Sequence, residues 1–251
     1  MPYLGYLLAQ AIKAGDTIAT ALTNATNFVT KVGGSVVDLS PSVEPLKSPS
    51  KGSAVFNGTS DYINVADPNF STTDSFTVGG WVYIKSYAQS DGIILASETV
   101  GWGLQGIIQY ATNSFAFYAG TGASATSLLA STSNDIVENT WIHVMGTHSP
   151  LKNSIYVNGK LSNSSAAANL VSNPPNQFKI GHYSTKLDGY SSNMAIWSRD
   201  LTASEVRSVM NKSYDDLNAS ETKGLVSWYA LDDISGTTVP DSHGNYNGTA
   251  N

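Results

Sequence analysis

The sequence predicts an all-β protein, and three observations carry that prediction. Between Ser53 and Val65 (SAVFNGTSDYINV), Val55 and Asn57 fall on one face of an extended chain and Ala54 and Phe56 on the other, and the N-G-T-S-D cluster makes a turn. The next run, FTVGGWVYIKS, sets Phe76, Val78, Gly80, Val82 and Ile84 against Thr77, Gly79, Trp81, Tyr83 and Lys85, and is rich in aromatic and β-branched residues. Charged residues make up only 13% of the 251, against about 25% in ordinary globular domains. Ser, Thr, Asn and Gly take their place, and such a surface suits exposed strands and turns better than helices. A chain of this length accommodates one large β domain.

The elements follow in order. Residues 1–38 read as an N-terminal arm. Its apolar stretch PYLGYLLAQAI lacks the basic residues of a signal peptide and the roughly 20 apolar residues of a spanning helix. Ile18, Ala21, Leu22, Ala25, Val29 and Val32 recur at helical spacing, and Gly33-Gly34 stops such a helix. The arm is expected to anchor the protein to an assembly or to hold a homo-oligomer together. Residues 39–52, with Pro41, Pro45 and Pro49, form an extended linker.

The domain proper is assigned to residues 53–251. GIILASETVGWGLQGIIQYATNSFAFYAG (92–120) holds three candidate strands separated by Gly and Asn turns. TWIHVMGTH and SIYVNGK are consecutive strands, and Asn158-Gly159 is the strongest hairpin signal in the chain. Trp81, Trp141, Trp197 and Trp228 sit in apolar strand patterns and are assigned to the core. His143, alternating with Trp141 and Met145, is read as a packed histidine. The polar stretch 162–177 is a loop whose Pro174-Pro175 pair excludes a central strand. Thr202 and Glu205 form a T-x-x-E capping box, with Leu201 and Val206 placed as its hydrophobic staple, and predict a short helix.

FNGTSDYINV followed by FTVGGWV resembles the opening of a laminin G-like domain of the concanavalin A-like superfamily. NTWIHVMGTHSP (139–150), NSIYVNGKLS (153–162) and FKIGHYSTKLDGYSSNMAIWSRDLTASEVRSVMN (178–211) match later motifs in the same order. The resemblance implies a two-sheet antiparallel jelly-roll sandwich. It also implies that Asp188, in the Leu-Asp-Gly turn, is a cation ligand, although Ser191, Ser192 and Asn193 stand where related domains often carry Asp or Glu. The tail GLVSWYALDDISGTTVPDSHGNYNGTAN (224–251) is similar to the segment that normally opens such a domain. Here it is last, so it is expected to return as a permuted opening strand, within the chain or in a neighbouring copy. That tail-first order is similar to structural proteins of marine phages, which implies a virion-surface role of decoration, head-fibre or tail-fibre type.

The net charge of −6 and the absence of any basic run argue against nucleic acid as a partner. Cysteine is absent, which removes disulfide and thiolate chemistry. His143, His148, His182 and His243 lack zinc spacing. Paired carboxylates of a glucanase are missing, because Asp215-Asp216 and Asp232-Asp233 are adjacent and point to opposite faces of a strand. The expectation is therefore not an enzyme. Asp241 and Asn245 in DSHGNYNG offer the hard oxygen ligands that calcium takes, with Asp188 as the partner the resemblance implies. Trp102, Tyr87, Tyr110, Tyr183 and Tyr190 are the candidates for stacking on cell-surface glycans. The alternative to a virion protein is a carbohydrate-binding module of an extracellular or cell-surface protein. A glycan hydrolase ranks last.

Overall fold

The computed structural model describes residues 48–65, 75–87, 93–99, 103–110, 113–119, 128–132, 134–167, 178–182, 186–244 and 246–251. The arm, most of the linker, Trp102, Tyr183, Asn245 and the Pro174-Pro175 pair lie outside these residues. In chain order the strands are β1 (Ala54–Asn57), β2 (Ile63–Val65), β3 (Phe76–Ile84), β4 (Ile93–Thr99), β5 (Gly103–Tyr110), β6 (Ser114–Ala119), β7 (Leu128–Ala130), β8 (Trp141–Ser149), β9 (Lys152–Val157), β10 (Lys160–Ala166), β11 (Phe178–Ile180) and β12 (Asp188–Trp197). A helical segment follows: α1 (Ala203–Val209), a 3-10 turn (Tyr214–Asp216) and α2 (Ala219–Thr222). The chain ends in β13 (Leu225–Tyr229), β14 (Thr238–Val239) and β15 (Gly248–Ala250). No helix among the described residues is long and apolar enough to cross a membrane.

All strand pairs are antiparallel, and they form two sheets. The first runs β1-β12-β3-β8-β9-β10, with β13 also on β12; the second runs β14-β15-β2-β11-β4-β5-β6-β7. Their inner faces close on one core, to which Phe56, Phe76, Val82 and Ile155 come from the first sheet and Ile63, Ile107, Phe117 and Phe178 from the second. This is the jelly-roll sandwich, and it follows from the alternation: β3 turns Phe76, Val78, Val82 and Ile84 inward and leaves Thr77, Trp81, Tyr83 and Lys85 for the outer face. Asn158 and Gly159 both adopt positive φ (50° and 72°) in the two-residue turn from β9 to β10, as a type I′ hairpin requires.

β1 and β13 occupy the same edge of β12. Ala54–Asn57 pair with Ser191–Asp188, and Leu225–Tyr229 pair with Trp197–Met194, so the end of β13 points at the start of β1. Between them β12 bulges and Asn193 takes φ 48°. Its side-chain carbonyl there accepts bonds from the Ser50 hydroxyl (2.7 Å) and the Trp228 indole N–H (3.1 Å). Ser48 bonds Ser192 (2.8 Å) at the same joint.

Candidate functional site

The outer face of the first sheet can be laid out from its registers. One row across the strands reads Val55, Tyr190, Tyr83, Trp141. The next reads Ser192, Trp81, His143, and a third Ala195, Gly79, Met145, Tyr156, with Trp228 against Ala195. A face with this many aromatic residues cannot be left entirely to water. The molecule covers part of it.

The cover is the helical segment. Thr202 caps α1: its hydroxyl accepts the Glu205 N–H (3.3 Å), and the Glu205 carboxylate accepts the Thr202 N–H (2.8 Å). Leu201, Val206 and Val209 are thereby set down on Met145, Tyr156, Ala195, Trp197, Leu225 and Trp228, forming a second apolar core outside the sandwich, and Trp81 is buried beside the end of α1, at Met210. Trp81, Trp197 and Trp228 are all buried there, and each indole N–H has an acceptor: the Met210 carbonyl (3.0 Å), the Glu221 carbonyl (2.8 Å) and Asn193 (3.1 Å). Lys212 and Ser208 bond the Glu221 carboxylate that ties the segment together (2.6–2.8 Å). Burial alone would raise that carboxyl, but the Asn218 N–H, Lys212 and Ser208 outweigh it and hold it below its ordinary range.

His143 stands at the boundary of the covered region. It is buried beside Trp81 (ring centroids 5.4 Å apart), its Nδ1 has no partner, and desolvation lowers its pKa from 6.5 to about 3. It is a neutral packing histidine.

Among the described residues the cover stops beyond His143. Tyr83, Tyr190 and Trp141 are each half-buried, and Val55 beside them is 58% exposed. The three rings cluster tightly: Tyr83 meets Tyr190 at 5.4 Å and Trp141 at 5.7 Å, both edge to face, and Trp141 lies 6.4 Å from Tyr190. Gly189 lets the β12 backbone lie close on β3 here, because a Cβ there would come within 1.9 Å of the Tyr83 carbonyl oxygen. The Lys85 ammonium sits 4.4 Å from the centre of the Tyr190 ring. Asp188 lies across from Lys85, whose backbone N–H donates to the Asp188 main-chain carbonyl at 2.9 Å. No hydrogen bond within the protein reaches the Tyr83 or Tyr190 hydroxyl, the Trp141 N–H or the Asp188 carboxylate among the described residues, in contrast to the three covered tryptophans.

Of the glycan-stacking candidates, then, Tyr190 lies in this cluster. Tyr87 and Tyr110 lie elsewhere and work as a brace: the Tyr87 hydroxyl donates to the Tyr110 carbonyl and accepts from Asn113 N–H (3.3 Å), while its own N–H donates to Glu138 (2.7 Å). Trp141 needs correcting, since it is not a core residue but the open end of the aromatic row. Alternation already placed Tyr83 and Lys85 outward; what sequence reasoning missed was where the helical cover ends.

The structure also places two of the three calcium candidates. Asp188 and Asp241 are not brought together. Asp241 bonds the backbone of Trp228, which pairs with Ala195, seven residues along β12 from Asp188 and so roughly 20 Å away by strand rise. The Asp241 carboxylate is 5% exposed and accepts the N–H groups of Trp228 (2.8 Å), His243 (3.0 Å) and Tyr246 (3.1 Å). It caps the outer edge of β13 with a turn of the tail. Among the described residues no three His, Asp or Glu side chains converge as a metal centre would need.

Solved structures share this architecture. A proposed carbohydrate-binding protein from Bacteroides ovatus superposes with a TM-score of 0.64 at 21% identity, over 82% of this chain and 59% of that one. Domain 4 of an extracellular arabinanase from Geobacillus stearothermophilus, solved with arabinotriose, gives 0.50 at 17% identity over 63% and 76%. A botulinum neurotoxin type C structure, described as depending on two ganglioside molecules for cell entry, gives 0.51 at 15% identity over 64% and 45%. The chain thus spans 59% of the length of the Bacteroides ovatus protein, and at these identities the likeness is one of fold. Among curated proteins none matches. A family model matches residues 57–207, from the Asn57 turn into α1, and on that match the chain belongs to the concanavalin A-like lectin/glucanases superfamily.

Proposed function

We propose that this protein is a non-enzymatic, lectin-like module that binds carbohydrate on the open half of its first sheet, through Tyr190, Tyr83 and Trp141. The observation that carries the reading is the half-buried aromatic cluster, in which an indole N–H and two phenol hydroxyls have no partner among the described residues. Sugar rings present an apolar face edged by hydroxyls, and a ring with a free polar tip meets both. Asp188 supplies a carboxylate acceptor beside the rings. A single carboxylate in register with the cluster supports binding over hydrolysis, since glycoside cleavage uses two carboxyl groups across one bond. Membership of a superfamily of lectins and glucanases and the carbohydrate-related neighbours support the same reading.

The setting of that binding is proposed as a surface: a virion, where the arm would join other virion proteins or further copies of the chain and the domain would attach to host glycans, or the exterior of a cell. The test is a glycan array probed with the wild-type protein, Trp141→Ala and Tyr190→Ala, each checked for folding by its unfolding midpoint. Signals that both variants lose while remaining folded are expected. Signals that persist in both would move the site elsewhere.

A further inference from the structure

Lys85 is placed where it must influence what the open face accepts. It follows β3 on the outer face, next after Tyr83, and lies across from Asp188 on β12. Among the described residues it forms no ion pair; those present are Arg199 with Glu205 and Lys212 with Glu221. Glu138, the other carboxylate at this end of β3, is taken by the Tyr87 N–H. The ammonium instead rests on the Tyr190 ring at 4.4 Å. A cation over an aromatic face is held by the ring quadrupole and excludes anything else from that face. A sugar stacking on Tyr190 has to move it.

We infer that Lys85 is the specificity-determining residue of the carbohydrate face: it occupies the Tyr190 ring in the unbound protein and favours saccharides carrying a carboxylate or sulfate over neutral ones. The inference rests on the carbohydrate-binding reading above. A neutral sugar displaces the ammonium and returns only hydroxyl contacts. An anionic sugar draws it off the ring into a charge-assisted hydrogen bond, so the ring is vacated and the cation is paired in the same step. The donor balance agrees. Lys85, the Trp141 N–H and the Tyr83 and Tyr190 hydroxyls all donate, whereas Asp188 alone is a pure acceptor and answers to sugar hydroxyls.

Two experiments test this. In proton NMR of the unliganded protein, the Lys85 ε-methylene resonances should be shifted upfield by the Tyr190 ring and return to ordinary positions in Tyr190→Leu. Unshifted resonances in the wild type overturn the inference without any ligand. An array holding neutral, uronate-bearing and sulfated saccharides is then probed with wild type, Lys85→Met and Trp141→Ala. Retention of anionic saccharides by wild type, with Lys85→Met binding neutral ones about two- to five-fold more tightly, the factor set by an exposed cation–π contact, supports it. The uronate and sulfate arms show which anion is taken. Neutral binding by wild type that weakens in Lys85→Met overturns the inference and keeps the carbohydrate reading, because Lys85 is then a plain hydrogen-bond donor. Binding that Trp141→Ala leaves untouched, or no retained saccharide at all, overturns both.

Discussion

Two halves of one sheet face treat the same kind of residue in opposite ways. Trp81 and Trp141 both point outward from the first sheet, on adjacent strands and neighbouring rows. Trp81 is buried at the end of α1 and gives its N–H to the Met210 carbonyl; Trp141 is half-buried and gives its N–H to none of the described residues. A buried indole needs a partner for its N–H, and the helical segment supplies both the apolar cover and the acceptors. Among the described residues the open half has neither. Aromatic residues on a strand therefore do not by themselves announce a core or a site. The distinction is made by an element more than a hundred residues away in sequence.

The covered half depends on the tail, and the largest expected effect lies there. Ending the chain after Thr222 removes Trp228, Tyr229, Leu231 and Val239, all buried, together with the strand that fills half of the β12 edge. The shortened protein is expected to lose its cooperative unfolding transition in urea and to aggregate. A soluble, cooperatively folding protein ending at Thr222 would show that the covered half stands without β13.

Within the covered half, Trp81→Ala should cost about 3 to 5 kcal/mol, the usual range for removing a large buried aromatic. Urea denaturation reads this directly. A loss near 1 kcal/mol would mean that α1 settles into the vacated space, and that the cover is adaptable rather than fixed.

These contrasts show how much the sequence made legible. The alternation of β3 separated Phe76, Val78, Val82 and Ile84 from Trp81, Tyr83 and Lys85 correctly, because a pleated strand has only two faces. The capping box at Thr202 and Glu205 marked α1, because it is a local device whose bonds span three residues. What could not be read was which outward residues α1 would cover, since that depends on the register of β12 on β3 and the path from Trp197 to Leu225. Trp141 was assigned to the core for that reason. The setting of Asp241 was not legible on similar grounds: a polar Gly-Asn turn and a cation loop share a composition, and the backbone N–H groups around the carboxylate are seen only in the fold.

His143 marks the boundary and should report on it through pH. Its native pKa of about 3 lies below the unfolded value of 6.5. Above pH 6.5 both states are neutral and the group contributes no pH dependence. Below it the unfolded chain takes up a proton that the native state refuses, so stability falls as pH drops toward about 3, by up to about 1.4 kcal/mol per pH unit. At pH 5 that amounts to about 2 kcal/mol. His143→Leu should flatten this part of the profile relative to wild type. Parallel profiles between pH 6.5 and 4 would show that water reaches His143 from the open side.

Asp241→Ala leaves the Trp228 N–H at the edge of β13 without its acceptor, a loss of about 1 to 3 kcal/mol. The expected loss is the same with and without added calcium. A calcium-dependent rise in Tm that the wild type shows and Asp241→Ala lacks would assign the carboxylate to an ion instead.

The smallest effect on stability is expected at Trp141, and it is the sharpest test of the comparison. Among the described residues the rings that meet it are Tyr83 and Tyr190, and it is only half-buried, so Trp141→Ala is expected to forfeit part of an edge-to-face cluster and some partly exposed area rather than to open a closed cavity. Such aromatic pairs contribute about 0.5 to 1.5 kcal/mol, which bounds the expected loss well below that of Trp81→Ala. Two tryptophans on adjacent strands of one face would then differ several-fold in what they contribute to folding, and in the opposite order in what they contribute to binding. If Trp141→Ala instead destabilises as severely as Trp81→Ala, something covers the open half in solution. The aromatic cluster is then a buried surface rather than one that meets sugars.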